Sequence, residues 1–156
     1  MASLEDVQQL SPRGLALSEL AIEVFRANGA LIAAGDALAR PAGLTSARWQ
    51  VLGVIDHAPA TVAHIARTMG LRRQSVQQTA AALVADDLAS FVENPRHRRA
   101  LLLDPTAEGR RALAEVERAH AAWSDSLAAS LDPSQIEAAT AALRALTRAL
   151  EPEGTR

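Results

Sequence analysis

Residues 61–86 carry the side chains whose types and spacing suggest chemistry. Two arginines and four hydrogen-bonding residues stand at the start and on one side of the second of two predicted helices: Arg72, Arg73, Gln74, Ser75, Gln77 and Gln78. When a helix enters the major groove of DNA, Gln can pair with adenine edges and Arg with guanine edges. The positive end of the helix also favours nearby phosphates. The alternative is an ordinary solvated helix face.

The signals around these residues are typical of a helix-turn-helix. Thr61 is placed to cap a helix over 62–69, Gly70 turns the chain, and a second helix follows over 72–86. One side of this second helix is apolar and is expected to be buried: Val76, Ala80, Leu83 and Val84. The polar side chains therefore fall on the face left to a partner or to water.

A basic loop follows directly. Short apolar segments over 88–95 and 99–103 flank a turn-like sequence and predict a β-hairpin. Four adjacent positions in it hold Arg96, His97, Arg98 and Arg99. Such groups repel one another and gain nothing from a core, so an external anion is the natural partner. Arginine is well suited to the narrow, electronegative minor groove of DNA.

Helical segments flank this centre on both sides. An apolar stripe predicts a helix over 15–40, and Thr45 is placed to cap the next helix, which runs to about Asp56. Asp104 and Pro105 resemble the cap and first residue of a long helix after the hairpin, and Asp132 starts a last helix. The apolar repeats of the outer helices favour homodimerisation, with the core of a monomeric bundle as the alternative.

Composition places the basic residues in the middle of the chain. The 156 residues are 49% hydrophobic and 22% charged, which is ordinary for a globular protein. The 35 alanines and the use of arginine without lysine are those of a GC-rich genome. Residues 48–99 hold seven arginines and four acids, a net of +3, and the remaining nine arginines and fourteen acids give −5. The centre is therefore expected to meet an anion.

Several classes of function are not expected. The chain contains no cysteine, so thiol chemistry and disulfides are excluded. Its four histidines form no metal-binding motif, and no nucleophile elbow or phosphate loop is present. We therefore predict no metal, no cofactor and no catalytic residues, and hence no enzyme. Without a membrane-length apolar run or a signal-peptide pattern, the prediction is a cytoplasmic protein without membrane contact.

A known family shares the order and spacing of these motifs. The sequence resembles the MarR (multiple antibiotic resistance regulator) family over about residues 15–150. The resemblance is carried by LTSARWQVL (44–52), IARTMGL (65–71), QSVQQ (74–78), LVADDL (83–88), NPRHRRA (94–100) and TAEG (106–109).

The resemblance implies a fold and an organisation. The fold is mainly α with a two-stranded β-wing, a winged helix-turn-helix flanked by N- and C-terminal dimerisation helices. Residues 1–156 form a single MarR-like domain, with a DNA-binding lobe at 44–104 and a helical dimerisation lobe at 15–40 and 105–150.

The resemblance also assigns roles and reveals departures. Arg98 corresponds to the wing arginine that enters the minor groove, with Arg96 and Arg99 as supporting candidates. His97 replaces the aspartate that usually orients this arginine, and Phe91 replaces an arginine of the first wing strand. Asp87 replaces a glycine, which is tolerable because aspartate can adopt the left-handed conformation.

The sequence thus predicts a sequence-specific DNA-binding transcription regulator. The resemblance makes it a homodimeric, ligand-responsive repressor of a pseudo-palindromic operator, with DNA contacts from Arg72, Arg73, Gln74, Ser75, Gln77, Gln78, Arg96, Arg98 and Arg99. A small aromatic or anionic effector is the expected third partner, with no ligand residues assigned. A winged-helix protein–protein adaptor without DNA binding is the alternative.

Overall fold

The computed structural model describes residues 10–97 and 99–150, in which the chain forms six α-helices and one two-stranded sheet. The elements are α1 Pro12–Ala39, α2 Ser46–His57, α3 Val62–Met69, α4 Arg73–Ala85, β1 Ala89–Val92, β2 Leu102–Pro105, α5 Ala107–Ala128 and α6 Pro133–Leu150, with a 3-10 turn at Arg40–Ala42. This confirms the predicted mainly α fold with a two-stranded wing. Arg98 lies outside the described residues.

Helices α2 and α3 begin at the caps that the sequence predicts. The Thr45 hydroxyl accepts from the Arg48 N–H at 3.3 Å, and the Thr61 hydroxyl accepts from the His64 N–H at 3.2 Å. Gly70 ends α3 in the left-handed conformation, at φ 64°. A hydroxyl acceptor at the first turn satisfies a backbone donor that the helix leaves free.

Helix α1 is attached to the start of α2 at Ser46. The Asp36 carboxylate accepts from the Ser46 N–H at 2.7 Å, so α1 supplies a second cap for α2. A Cβ on Gly35 would lie 2.7 Å from the Ser46 hydroxyl oxygen. A side chain at position 35 would therefore force Ser46 to shift where α1 and α2 cross.

The described part of the first compact unit, residues 10–116, is built around one hydrophobic core. Its fully buried large side chains are Val51, Leu52, Ile55, Ile65, Val76, Leu83, Leu103 and Val116. Val76, Ala80 and Leu83 are buried, and Val84 is half-buried against the core, which confirms the predicted apolar face of α4.

Strands β1 and β2 pair antiparallel, with Phe91 opposite Leu103. Leu103 also exchanges two backbone hydrogen bonds with Ala60, at 2.8 and 3.1 Å, which attaches the hairpin to the loop before α3. The second strand begins at Leu102, so its predicted start at Arg99 is wrong. The reason is a further turn, in which the Ala100 N–H donates to the His97 carbonyl.

The predicted cap of α5 at Asp104 and Pro105 is also wrong. Pro105 pairs with Ala89 in the sheet, and the helix begins two residues later. The Thr106 hydroxyl accepts from the Gly109 N–H at 3.0 Å and so replaces Asp104 as the cap. The fixed φ of proline fits an extended residue as well as the first residue of a helix. The sequence therefore did not distinguish a place for Pro105 in β2 from one at the start of α5.

The second compact unit begins at residue 117 and holds the end of α5 and all of α6. Asp132 accepts from both the backbone N–H and the hydroxyl of Ser134, which confirms its predicted place at the start of α6. The hydroxyl bond and then the N–H bond from Ser134 lower the pKa of Asp132. Over the described residues, no helix is both long and apolar enough to cross a membrane.

Candidate nucleic-acid interface

A short turn, residues 86–88, joins α4 to β1 and so sets the direction between the two. The Asp87 N–H donates to the Val84 carbonyl at 3.1 Å, and the Leu88 N–H donates to Leu83 at 2.9 Å. Asp87 has φ 57°, the left-handed conformation that the sequence indicated for this position. The turn is therefore a compact end of α4, with its backbone donors bonded to the helix.

The start of α5 closes on the same turn. The Thr106 N–H donates to the Leu88 carbonyl at 3.1 Å, and the Thr106 hydroxyl donates to the Asp87 carbonyl at 2.7 Å. A Cβ on Gly109 would lie 1.9 Å from the Leu88 carbonyl oxygen. The TAEG motif therefore acts as a clamp: threonine bonds to the turn, and glycine lets the helix backbone approach it.

Helix α2 supports the turn from the end of α4. The Arg48 guanidinium lies 2.7 Å from the Asp86 carboxylate, with the two side chains 25% and 50% exposed. This ion pair joins α2 to the end of α4. Asp86 was not foreseen as its partner, because the two residues are 38 positions apart.

Beyond the turn, the start of α4 and the hairpin with its loop, residues 89–105 (the wing), face each other. With α3 they enclose a concave surface of about 270 Å³, here named the α4–wing hollow. It is lined by Thr61, Val62, Ala63, Arg73, Gln77, Phe91, Arg99, Ala100 and Leu101. Among the described residues that line it there is no carboxylate, so arginines of both elements set its charge.

The structure brings only some of the predicted contact residues to this hollow. Arg73, Gln77 and Arg99 line it. The other four predicted α4 residues are exposed on the same segment but do not line it: Arg72, Gln74, Ser75 and Gln78. Arg96 lies elsewhere, and Phe91 and Leu101 form apolar lining that the sequence analysis did not assign.

Arg96 lines a second concave surface, of about 540 Å³, here named the wing-base cavity. It is formed by the end of α2, the start of α3 and the base of the wing, with Val54, His57, Ala58, Pro59, Ala60, Thr61, His64, Asn94, Pro95, Arg96 and Leu102 as lining. Two of the four histidines, in which the sequence shows no metal-binding motif, line this cavity: His57 and His64. Within residues 10–97 and 99–150, no group of three or more His, Asp and Glu side chains is placed to hold a metal ion.

A helix-turn-helix followed by a wing, with arginines of both around one hollow, defines a winged helix-turn-helix protein. A model of the MarR family matches residues 42–100. Uncharacterized protein Rv2011c of Mycobacterium tuberculosis is 36% identical over 137 residues, which are 88% of this chain and 96% of that protein. The chain belongs to the MarR family.

Solved structures share the fold. Sco5413, a MarR family transcriptional regulator from Streptomyces coelicolor, is 26% identical with a TM-score of 0.76, covering 87% of this chain and 96% of that one. The M. tuberculosis regulator MosR, solved in complex with DNA, is 24% identical with a TM-score of 0.71, covering 85% and 98%. Staphylococcus aureus MarR, solved with salicylate and kanamycin, is 14% identical with a TM-score of 0.73, covering 87% and 93%.

The clamp on the 86–88 turn predicts opposite effects of two glycine substitutions. Gly109→Ala should lower the free energy of unfolding by about 1–3 kcal/mol, because its Cβ would meet the Leu88 carbonyl. Gly53→Ala is the matched control. No atom lies within 4 Å of a Cβ there, so removing a helical glycine should stabilise by roughly 0.5–1 kcal/mol. Chemical unfolding at one protein concentration measures both, and equal effects would contradict the clamp.

The ion pair on the turn predicts a small coupling energy. In a double-mutant cycle of Arg48→Ala and Asp86→Ala, we expect an interaction of about 0.2–1 kcal/mol, since the pair is partly exposed. Solvent screening should reduce this value at high salt. Chemical unfolding of the four proteins at two salt concentrations measures it. Additive single effects at low salt would show that the pair does not support the turn.

Proposed function

We propose that this chain is a sequence-specific DNA-binding transcription regulator that binds a pseudo-palindromic operator as a homodimer and acts as a ligand-responsive repressor. One observation carries the proposal: Arg73 and Gln77 of α4 and Arg99 of the wing line a single hollow, with no carboxylate among its described lining residues. A DNA duplex presents base edges to the glutamine and phosphates to the arginines at the same time.

The proposed roles follow from side-chain chemistry. Gln74, Ser75, Gln77 and Gln78 read or flank base edges in the major groove, because amide and hydroxyl groups match the donors and acceptors there. Arg72 and Arg73 bind phosphate or guanine at the start of α4. Arg96, Arg98 and Arg99 anchor the wing, with Arg98 as the minor-groove arginine by family resemblance. The DNA complex of MosR supports this assignment at the level of the fold.

Exposed apolar side chains support the homodimer. In α1, the exposed large apolar residues are Leu15, Leu17, Leu20, Ile22, Phe25, Leu31 and Ile32, and Phe25 is 76% exposed. In α6 they are Ile136, Leu143 and Leu150. Apolar surface of this extent marks an association site. A two-fold dimer also doubles the contacts to a palindromic site.

The proposal extends to an effector and to location. The salicylate bound to S. aureus MarR supports a small anionic aromatic compound as the effector class, acting by release of DNA. A DNA-binding role places the chain with the chromosome, in the cytoplasm, and it requires no catalysis and no cofactor.

Selection from a random DNA pool, followed by two classes of variant, tests the role split. Gln78→Ala should change the preferred sequence, with a discrimination loss of about 1–3 kcal/mol if it makes a bidentate base contact. Arg98→Ala and Arg99→Ala should weaken selected and random DNA alike, and each should reduce the salt slope by about one. Gln135→Ala, in α6, is the control for a glutamine outside the interface.

Two outcomes would contradict the proposal in different ways. Equal effects of Gln78→Ala and Arg99→Ala on selected and random DNA would remove the role split. Failure of the wild-type chain to bind any duplex at low salt would leave the adaptor function instead, because DNA binding through arginines must be strongest there.

The apolar face of α1 predicts the oligomeric state. The wild-type chain should be a dimer by light scattering at micromolar concentration. Leu31→Glu should shift it to monomer and weaken operator binding. Leu31 is 57% exposed in the single chain, and the proposed dimer would bury a charge at this position without a partner. Leu31→Met retains the apolar surface and should stay dimeric. A wild-type monomer, or a dimer unaffected by glutamate, would contradict the role of α1.

A further inference from the structure

The wing carries an apolar face that runs from the core into the α4–wing hollow. Leu103 of β2 is fully buried and lies opposite Phe91, which is half-buried against the core. Leu101 stands two positions before Leu103, and side chains two positions apart share one face of an extended chain. Phe91 and Leu101 both line the hollow, so apolar surface continues from the core into it.

Leu101 stands out among the large apolar side chains of this unit. Over the described residues 40–97 and 99–116, those that remain exposed are Leu71 and Leu101, at 47% and 48%. The bond from the Ala100 N–H to the His97 carbonyl ends the wing loop directly before Leu101. A single exposed leucine is ordinary on a protein surface, but this one adjoins Phe91 in a concave site, and Leu71 does not line that site.

Cationic groups line the same hollow from two sides. Arg73 lies at the start of α4 and Arg99 in the wing loop. The ion pairs between described side chains involve neither of them. The hollow therefore combines guanidinium groups, which pair strongly with phosphate, and apolar surface, which gains by being covered. A ligand that carries both a phosphate and an apolar part suits it.

One part of a DNA duplex has this combination at the right place, an inference that rests on the proposed function. In that proposal α4 enters the major groove and the wing enters the adjacent minor groove. A single sugar–phosphate strand separates the two grooves, so this strand must pass between α4 and the wing. The hollow lies there, with its arginines available to phosphates and its apolar lining available to the sugars between them.

We propose that Phe91 and Leu101 make the interface selective for deoxyribose over ribose. They pack against the C2′ methylene group of one sugar in each half-site, while Arg73 and Arg99 pair with the flanking phosphates. A ribose at this position would place its 2′-hydroxyl against the two apolar side chains, where it would lose water and gain no hydrogen-bond partner. The wing thereby recognises the kind of nucleic acid, while α4 reads the base sequence.

Thymine methyl groups are the other apolar feature that DNA presents to a protein. They project from base edges into the major groove, which is the side that α4 occupies in the proposed function. Phe91 and Leu101 belong to the wing, so their position favours the sugar of the intervening strand over a base.

Single ribonucleotide replacements along the selected operator test the proposal, with affinity measured by fluorescence anisotropy. At one position in each half-site, ribose should weaken binding by the wild-type chain by about fivefold or more, because a hydroxyl is desolvated without a partner. Leu101→Ala should reduce this ribose penalty to about twofold or less, since water can then reach the hydroxyl. Leu101→Gln should reduce it as well, because its amide can bond to the hydroxyl.

Leu71→Ala is the matched control. Leu71 is as exposed as Leu101 but lies outside the hollow, so this variant should retain the full ribose penalty. Circular dichroism checks that each variant is folded. A change in sugar shape caused by ribose would persist in every variant, so only a penalty that depends on Leu101 reports the contact.

The outcomes separate this proposal from the proposed function. An equal ribose penalty in wild type, Leu101→Ala and Leu101→Gln would overturn the sugar contact. A penalty for replacing thymine by deoxyuridine that depends on Leu101, without a ribose penalty, would overturn it too and assign Leu101 to a thymine methyl group. Operator binding without any ribose-sensitive position would overturn the sugar contact and leave the proposed function standing, whereas failure to bind every duplex would overturn both.

Discussion

The turn of residues 86–88 is the constraint on which the rest of the candidate interface depends. A helix and a hairpin can contact one duplex together only if the angle between them matches the spacing of its grooves. Here the three residues of the turn set that angle. Thr106 bonds to Asp87, Gly109 packs against the Leu88 carbonyl, and Arg48 pairs with Asp86. The elements that position the interface are therefore α2 and α5, neither of which supplies a predicted contact residue.

The wing depends on the same support. A two-stranded hairpin is marginal in water without packing. Leu103 supplies that packing, since it is fully buried and bonded to Ala60 on one side while facing Phe91 on the other. The base of the wing is thus part of the core. Its loop places Arg96 at the wing-base cavity and Arg99 at the α4–wing hollow. Two arginines three positions apart therefore line different concave surfaces.

Local signals in the sequence predicted much of this structure. The caps at Thr45 and Thr61, the turn at Gly70 and the buried face of α4 each depend on residues within one or two helical turns. The pairing of Arg48 with Asp86 and the clamp of Thr106 on Asp87 join segments far apart in the chain. The separation of Arg96 from Arg99 depends on where the loop turns. No periodicity encodes these contacts, so the sequence predicted the caps and the buried face of α4 without predicting these pairings.

The outer helices, α1 and α6, are poorly buried in the single chain. The 28 residues of α1 include only Gly35 and Ala39 as buried, and α6 has no buried residue. Alanine-rich helices gain little from their own side chains, so most of their stability must come from packing against other helices. The proposed second copy would supply that packing. Helix α1 contacts the start of α2 through Asp36 and Ser46, and α2 contacts the turn after α4 through Arg48 and Asp86. In the proposed dimer, the helix that packs on the second copy is therefore connected through α2 to the turn that sets the direction of α4.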